Sequence, residues 1–158
     1  MNENLAEKNP PLQIIFNMVF DMPLKISCNI IYAGVHYRYR MKHKALYRWE
    51  VLRACKSQNI QTISDYPVTL SFRFGFSKNA LDSSNCSYMA KLIEDGLVQN
   101  EILKNDDIKF VKRIILESYK SEKDEIKLEV IYDEKDKQRV KDKRVTKSIP
   151  RTEQEELF

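Results

Sequence analysis

The sequence contains few cysteines and no long apolar run. Its three cysteines, at positions 28, 55 and 86, form an odd set without Cys-x-x-Cys spacing, which argues against a disulfide framework and indicates reduced, mostly packed thiols. No apolar run is long enough to span a bilayer, and residues 1–11 lack the apolar region of a secretion signal. No internal repeat is present. We therefore expect a cytoplasmic protein without a membrane partner.

The length and composition indicate one soluble domain. The 158 residues are enough for one domain but not comfortably for two. A hydrophobic content of 42% supports a core, while 32% charged residues and a formal net charge of +4 indicate a mildly basic protein. This net charge is weak evidence for nucleic-acid binding, and the distribution of the charge along the chain is the stronger evidence.

Hydrophobic periodicity predicts four strands and two main helices. The predicted strands are 12–20, 68–76, 110–118 and 126–132, the polar segment SEKD forming a hairpin between the last two. One helix is predicted over 42–57, with Trp49 assigned to the core, and a second lies within 81–108. We predict an α+β fold with a single mixed sheet. Residues 1–11 form a flexible arm, 12–132 the folded domain and 133–158 a charged, disordered tail.

Positive charge accumulates in the middle of the first half of the chain. The predicted DNA contacts in this segment are His36, Arg38, Arg40, Lys42, Lys44 and Arg48. No acidic residue interrupts them, and Tyr37, Tyr39 and Tyr47 lie between them. Basic groups neutralise phosphates and aromatic rings stack on unpaired bases, so the segment predicts contact with nucleic acid. The alternative is a solvated basic face of the following helix.

The stretch 81–108 combines an amphipathic helix with acidic residues at both ends. At ~100° per residue, one face carries Ser84, Tyr88, Lys91 and Asp95, and the other carries Met89, Leu92, Ile93 and Leu97. Asp82 precedes the helix, and Asn105-Asp106-Asp107 follows it. If the two flanking strands are neighbours, these carboxylates converge at one edge of the sheet. Carboxylates with a nearby lysine suit divalent-cation chemistry on phosphate.

Simpler roles are available for each of these residues. Asp82 or Ser84 would serve as a helix N-cap. Lys91 and Asp95 would form an exposed i,i+4 pair. Asn105, Asp106 and Asp107 would supply turn chemistry.

The spacing of these residues resembles the core of RusA-type Holliday junction resolvases, in the variants found in phages and prophages. The matching segments are Asp82-x-x-Asn85, Lys91, Asp95-Gly96-Leu97-Val98 and Leu103-x-x-Asp106-Asp107. The segment from Asn29 to Arg38 is also similar to the DNA-binding loop of the phage proteins. The resemblance spans about 24–116 and implies a homodimer, whose two-fold symmetry would match that of a four-way junction.

By this resemblance Asp82 and Asp107 bind Mg²⁺, with Asp106 close by. Lys91 assists catalysis, and Mn²⁺ is expected to substitute for Mg²⁺. Ser84 stands where better-known members carry a second aspartate, and the helix is a few residues longer. Asp95 is therefore the candidate for the third ligand, and Asn85 is grouped with the DNA contacts.

The resemblance implies a Mg²⁺-dependent, structure-selective endodeoxyribonuclease acting on branched DNA in recombination and repair. The metal would activate a water, Lys91 would donate to the phosphate, and the basic segment would hold backbone phosphates. One alternative is a non-catalytic protein of the same fold that binds branched DNA. Another is an enzyme that prefers flaps to four-way junctions.

The end of the chain carries a second, independent motif. Gln154, Leu157 and Phe158 resemble the Gln-x-x-Leu-Phe peptide by which bacterial proteins dock on the sliding clamp. Two apolar residues at the end of a charged tail suit a pocket-bound peptide that orders on contact. The alternatives are that this pair folds back onto the domain or that the short match is accidental.

Overall fold

The computed structural model describes residues 12–133, with side chains from residue 17 to residue 132. The four strands are Leu12–Asp21 (β1), Val68–Phe76 (β2), Val111–Lys120 (β3) and Glu125–Asp133 (β4). The α-helices are Cys28–Tyr32 (α1), Tyr37–Ser57 (α2) and Ser87–Gln99 (α3), and a 3₁₀ turn, Ser83–Cys86, precedes α3. The predicted α+β class with a mixed four-stranded sheet is confirmed. The predicted arm and the predicted tail beyond position 133 lie outside the described residues.

The sheet has the strand order β1-β4-β2-β3. β2 and β3 are parallel, while β4 is antiparallel to both β1 and β2. The predicted hairpin between β3 and β4 is therefore wrong, because β2 lies between them. The chain instead crosses the end of β2, where the Ser121 N–H donates to the Phe76 carbonyl at 2.9 Å. The reason lies in burial: β4 is mostly buried and takes a central position, while most of β3 is exposed.

The core lies between the helices and one face of the sheet. Strict alternation along β2 sends five large side chains to that face, all of them buried: Val68, Leu70, Phe72, Phe74 and Phe76. α3 contributes its predicted apolar face, Met89, Leu92, Ile93 and Leu97, which is also buried. Each such side chain stabilises the fold by roughly 1.5–3 kcal/mol through burial. The period-two and period-3.6 patterns thus identify the core correctly.

α2 begins earlier than the sequence pattern predicts, at Tyr37 rather than Lys42. His36 is its N-cap, and Nδ1 of the ring accepts the Arg38 N–H at 3.3 Å. Arg38 and Arg40 are therefore helical instead of lying in a loop. Trp49 is 65% exposed, so its predicted place in the core is wrong. The buried stripe of α2 passes through Tyr47, Val51, Ala54 and Cys55, and position 49 lies off that stripe at ~100° per residue.

The two long helices end in the same way. Asn59 after α2 and Glu101 after α3 adopt left-handed conformations, with φ of 52° and 60°, which is a common way for a helix to stop. The next residues turn back, with Ile60 N–H donating to the Cys55 carbonyl at 2.9 Å and Ile102 N–H to the Leu97 carbonyl at 3.0 Å. None of the helices between residues 12 and 133 combines the length and apolar character that a membrane crossing requires.

Candidate active site

Lys91, in the second turn of α3, contacts three carboxylates. Its Nζ lies 3.0 Å from Glu94 Oε2 and 2.9 Å from Asp95 Oδ1, and it also donates to Asp106 Oδ2. Glu94 and Asp95 follow by helical spacing of three and four residues. Asp106 comes from the loop before β3, so only the tertiary structure brings it to the lysine. We call these four residues the Lys91 cluster.

Burial and charge perturb the Lys91 cluster in opposite directions. Burial raises the pKa of Glu94, which is only 3% exposed, and Lys91 counteracts part of that rise. Burial by itself lowers the pKa of Lys91, but hydrogen bonds to Asp106, Asp95 and Glu94 outweigh it and leave the pKa raised. The hydrogen bond from Lys91 also lowers the pKa of Asp106. Lys91 is therefore a fixed positive charge at neutral pH.

The Lys91 cluster borders an open groove between α2 and α3. Lys44 of α2 lies 3.7 Å from Asp95 of α3 and so links the two helices, while Asp95 also contacts Lys91 of its own helix. The groove is lined by Ile31, Tyr37, Arg40, Met41, Lys44, Tyr88, Lys91, Leu92 and Asp95. Part of the predicted DNA-binding segment and the predicted catalytic lysine thus share one surface.

The predicted DNA-binding side chains are accessible. His36, Arg38, Arg40, Lys42, Lys44 and Arg48 are all exposed. Helical spacing aligns positions 40, 44 and 48 in one row, and the groove is lined by the first two. His36 has a capping role in addition. Asn85 is half-buried, and its N–H donates to the Asp82 carbonyl at 2.9 Å within the 3₁₀ turn.

Asp82 and Asp107 lie at opposite ends of the β2–β3 pair. The two flanking strands are neighbours as expected, but they are parallel, so the end of β2 and the start of β3 are far apart. Ser118 Oγ donates to the carbonyl of Leu81, next to Asp82, while Val111 N–H donates to the Asp107 carbonyl at 2.9 Å. Val111 and Ser118 are separated by roughly 20 Å of extended strand. The expected convergence of these carboxylates does not occur within one chain.

Asp107 has a local structural role where it lies. Its Oδ1 accepts the Lys109 N–H at 2.8 Å, and its Oδ2 accepts from Asn105 Nδ2 at 3.1 Å. The first is the Asx-type bond of a turn, and the second joins two side chains of the same loop. Asp82 precedes the 3₁₀ turn, and its exposed carboxylate makes no capping hydrogen bond to that turn within the described residues. The roles of both residues as metal ligands stay predictions.

The part of the chain that the structure describes contains no group of three or more His, Cys, Asp or Glu side chains arranged to hold a metal ion. Two carboxylates nevertheless meet at Lys91 from separate elements, Asp95 and Asp106. Mg²⁺ in nucleotide-handling sites is commonly bound through one or two carboxylates, with waters and substrate phosphates completing its shell. The donor chemistry of this pair fits that kind of site.

Sequence reasoning assigned no functional role to three residues near the groove. Glu94 lies three residues after Lys91, a spacing that could have revealed the pair, but it borders the apolar face and is buried. His43 is fully buried with both ring nitrogens unpartnered among the described residues, as is the hydroxyl of Tyr88. Their rings lie 6.1 Å apart, and burial lowers the pKa of His43 and raises that of Tyr88. His43 lies four residues before Tyr47 and eight before Val51, so the helical period places it on the buried stripe of α2 and could have separated it from its basic neighbours.

No protein-family model matches the chain, and neither a curated protein nor a solved structure matches it. The clamp-type motif at Gln154, Leu157 and Phe158 lies outside the described residues.

Proposed function

We propose that this chain is a Mg²⁺-dependent endodeoxyribonuclease acting on branched DNA, and that the groove between α2 and α3 binds the phosphate backbone. The observation that carries the proposal is the contact of Lys44 and Lys91 with the same carboxylate, Asp95, at 3.7 Å and 2.9 Å. It joins the basic face of α2 to the Lys91 cluster of α3. The resemblance of the motifs around Asp82, Lys91 and Asp107 to RusA-type resolvases supports the reaction class.

The basic side chains of α2 would position the DNA. Arg40 and Lys44 line the groove, whereas Arg38 and Lys42, each two residues before one of them, are exposed on the other side of α2. Phosphate contacts of this kind fix the register of the protein on DNA and carry no sequence information. Tyr37 is 57% exposed at the same end of the groove and offers a stacking surface for an unpaired base.

Lys91 would act on the scissile phosphate. Its hydrogen bonds to Glu94 and Asp95 orient the ammonium group, and its raised pKa keeps it protonated. A fixed donor of this kind stabilises negative charge that develops in the transition state. Asp95 and Asp106 would hold the Mg²⁺ ion, which when bound supplies Lewis acidity and a water of lowered pKa. Asp82 and Asp107 remain predicted ligands at the two ends of the β2–β3 pair.

Nicking of synthetic four-way junctions tests the proposal. The wild-type protein should nick in Mg²⁺ or Mn²⁺ but not in EDTA, and cleavage that survives chelation would refute the metal dependence. Lys91→Gln and Asp106→Asn should each lower the cleavage rate by at least roughly 100-fold, with Lys56→Gln, an exposed residue at the far end of α2, as the matched control. Asp82→Asn and Asp107→Asn test the two remaining predicted ligands. If a variant cleaves at the wild-type rate, the altered residue is not a metal ligand.

A non-catalytic protein that binds branched DNA is the second candidate. It is favoured by the lack, among the described residues, of a cluster of three or more ligating side chains. Tight binding of junctions without nicking in either cation would establish this alternative. A parallel assay with flap substrates separates a junction enzyme from one that prefers other branched structures.

A further inference from the structure

The groove between α2 and α3 is lined mainly by apolar side chains. Tyr37 and Met41 are 57% and 59% exposed, and their spacing of four residues on α2 places them side by side. Ile31 of α1 and Leu92 of α3 line the groove with them, and its volume is about 380 Å³. An exposed apolar patch bordered by charged side chains is typical of a groove that binds a ligand.

Phosphate binding accounts for only part of this lining. The backbone of a duplex presents charged oxygens, which suit Arg40 and Lys44, but it offers no apolar surface to cover Tyr37 and Met41. The face of a nucleobase would cover them, because every base has a π-face that stacks on aromatic side chains. That face becomes accessible only when the base leaves the helical stack. The lining therefore favours an unpaired nucleotide over a paired one.

Arg40 is the basic residue of the groove that is available to a ligand phosphate. Lys44 is paired with Asp95, and Lys91 contacts three carboxylates. Among the residues that the structure describes, the guanidinium group of Arg40 forms no ion pair and no hydrogen bond. An arginine binds a phosphate through two parallel hydrogen bonds, which gives the contact a defined geometry.

The ring of Tyr37 is held in place by its neighbours. The ring centroid of His36 lies 4.8 Å from that of Tyr37, and the Tyr37 hydroxyl accepts from Arg38 Nε at 3.4 Å. A stacking surface that is fixed before binding loses less conformational freedom when the ligand arrives. Tyr37 and Arg40 are three residues apart on α2, so the helix presents the ring and the charge to the same groove.

Given the proposed binding of DNA in this groove, on which the inference rests, we propose that the groove is a pocket for one unpaired nucleotide. The base lies against Tyr37 and Met41, and its phosphate lies on Arg40. A nucleotide within a duplex must leave its stack to enter the pocket, whereas an unpaired nucleotide at a branch has already done so. The pocket thereby selects branched DNA without reading the base sequence.

The pocket also positions the strand for cleavage. Lys91 lines the same groove as Tyr37, Arg40 and Met41. A base held in the pocket therefore limits which phosphate of its strand can approach Lys91, and such positioning contributes to the rate of a reaction. Cleavage of a junction should accordingly occur at a constant distance from the unpaired nucleotide.

Binding of single-stranded DNA in EDTA tests the pocket independently of cleavage. Fluorescence anisotropy compares a short thymidine strand with the same strand made of abasic residues, which keeps every phosphate and lacks the bases. The wild type should bind the intact strand at least about tenfold more tightly, because stacking of a base on an aromatic side chain is lost in the abasic strand. Equal affinity for the two strands would overturn the proposal.

Variants locate the pocket. Tyr37→Ala and Met41→Ala should each remove most of the preference for the intact strand and leave the affinity for the abasic strand unchanged. Arg40→Gln should weaken the binding of both strands, because its contact is to phosphate. Trp49→Ala removes a comparably exposed aromatic side chain outside the groove and should bind both strands like the wild type. Circular dichroism confirms that each variant is folded.

The pattern of failure separates the pocket from the proposed nuclease. A wild type that nicks junctions in Mg²⁺ but binds both strands alike would refute the pocket only. A wild type that prefers the intact strand, through Tyr37 and Met41, but never nicks would refute the nuclease only. A loss of preference in Trp49→Ala alone would also overturn the proposal, since the base would then stack outside the groove. Binding of neither strand would exclude nucleic acid and leave an apolar peptide as the occupant.

Discussion

Gly96 of α3 lies directly against Val51 of α2. A β-carbon at position 96 would stand 3.0 Å from Val51 Cγ2 and 3.2 Å from Val51 Cβ, closer than side chains normally pack. The absence of a side chain at position 96 therefore sets the distance between the two helices that form the groove. Asp95, the residue before it, is the one that contacts both Lys44 and Lys91.

Gly96→Ala should destabilise the protein by roughly 1–2 kcal/mol. Overpacking of this kind costs about 1–3 kcal/mol, and the better helix propensity of alanine returns at most about 1 kcal/mol. The free energy of unfolding in urea measures the effect. In a Val51→Ala background the added methyl group has room, so Gly96→Ala should be neutral or stabilising there. An equal cost in both backgrounds would contradict the packing explanation.

Glu94→Gln should become more stable relative to the wild type as the pH rises. Burial raises the pKa of Glu94 above that of the unfolded chain. Protonation of Glu94 therefore favours folding; this contribution is fully present below the unfolded pKa, near 4.3, and is lost as the pH rises through the folded pKa. Urea unfolding of both proteins at about pH 4 and pH 7 measures the difference. Glu122→Gln, at an exposed position, is the control. If the wild type instead becomes more stable relative to Glu94→Gln as the pH rises, the predicted direction of the effect is wrong.

Gln58→Ala should uncover the β1 edge. It removes the two hydrogen bonds to the Val19 backbone, and because water can replace them at an exposed edge, the loss of stability should be about 1 kcal/mol. The larger effect should be on association, since an uncovered strand edge is a template for aggregation. Light scattering during mild heating measures this. Among the described residues Gln61 donates only to Asn59, so Gln61→Ala should not increase scattering.

Neutralising one basic residue of α2 should change the salt dependence of DNA binding. Arg38→Gln, Arg40→Gln or Lys42→Gln should each lower the slope of log affinity against log salt by about one unit, equally for all DNA sequences. Titration of junction DNA at several salt concentrations gives the slope. Lys56→Gln should leave it unchanged. A loss confined to one base sequence would contradict the phosphate-contact role.

The strands were predictable because their signal is local. Alternation along β2 from Val68 to Phe76 identifies both the strand and its buried face, and the same holds for Met18 and Phe20 of β1 and for β4. The position of a strand within the sheet has no comparable local signal. The order that places β2 between β3 and β4 depends on which strands are covered on both sides. The hairpin prediction used only the local sequence and so could not take that covering into account.

In the candidate site, too, the local contacts were predictable and the long-range contacts were not. Lys91 and Asp95 were predictable as neighbours, because their spacing of four residues on α3 brings them together in any helix. Asp106 reaches Lys91 only because the loop before β3 returns to α3. The predicted proximity of Asp82 and Asp107 failed within one chain because it required flanking strands that bring those two ends together, and the strands are parallel.

The sequence by itself determined the four strands, the two main helices, the apolar faces of β2 and α3 and the pair of Lys91 with Asp95, since each follows from the period of a strand or a helix. Only the tertiary structure decided the exposure of Trp49, the third carboxylate at Lys91 and the covering of the β1 edge at Val19 by Gln58. These properties depend on contacts between residues distant in the chain. Such contacts are set by how whole elements cover one another, and no local pattern encodes that.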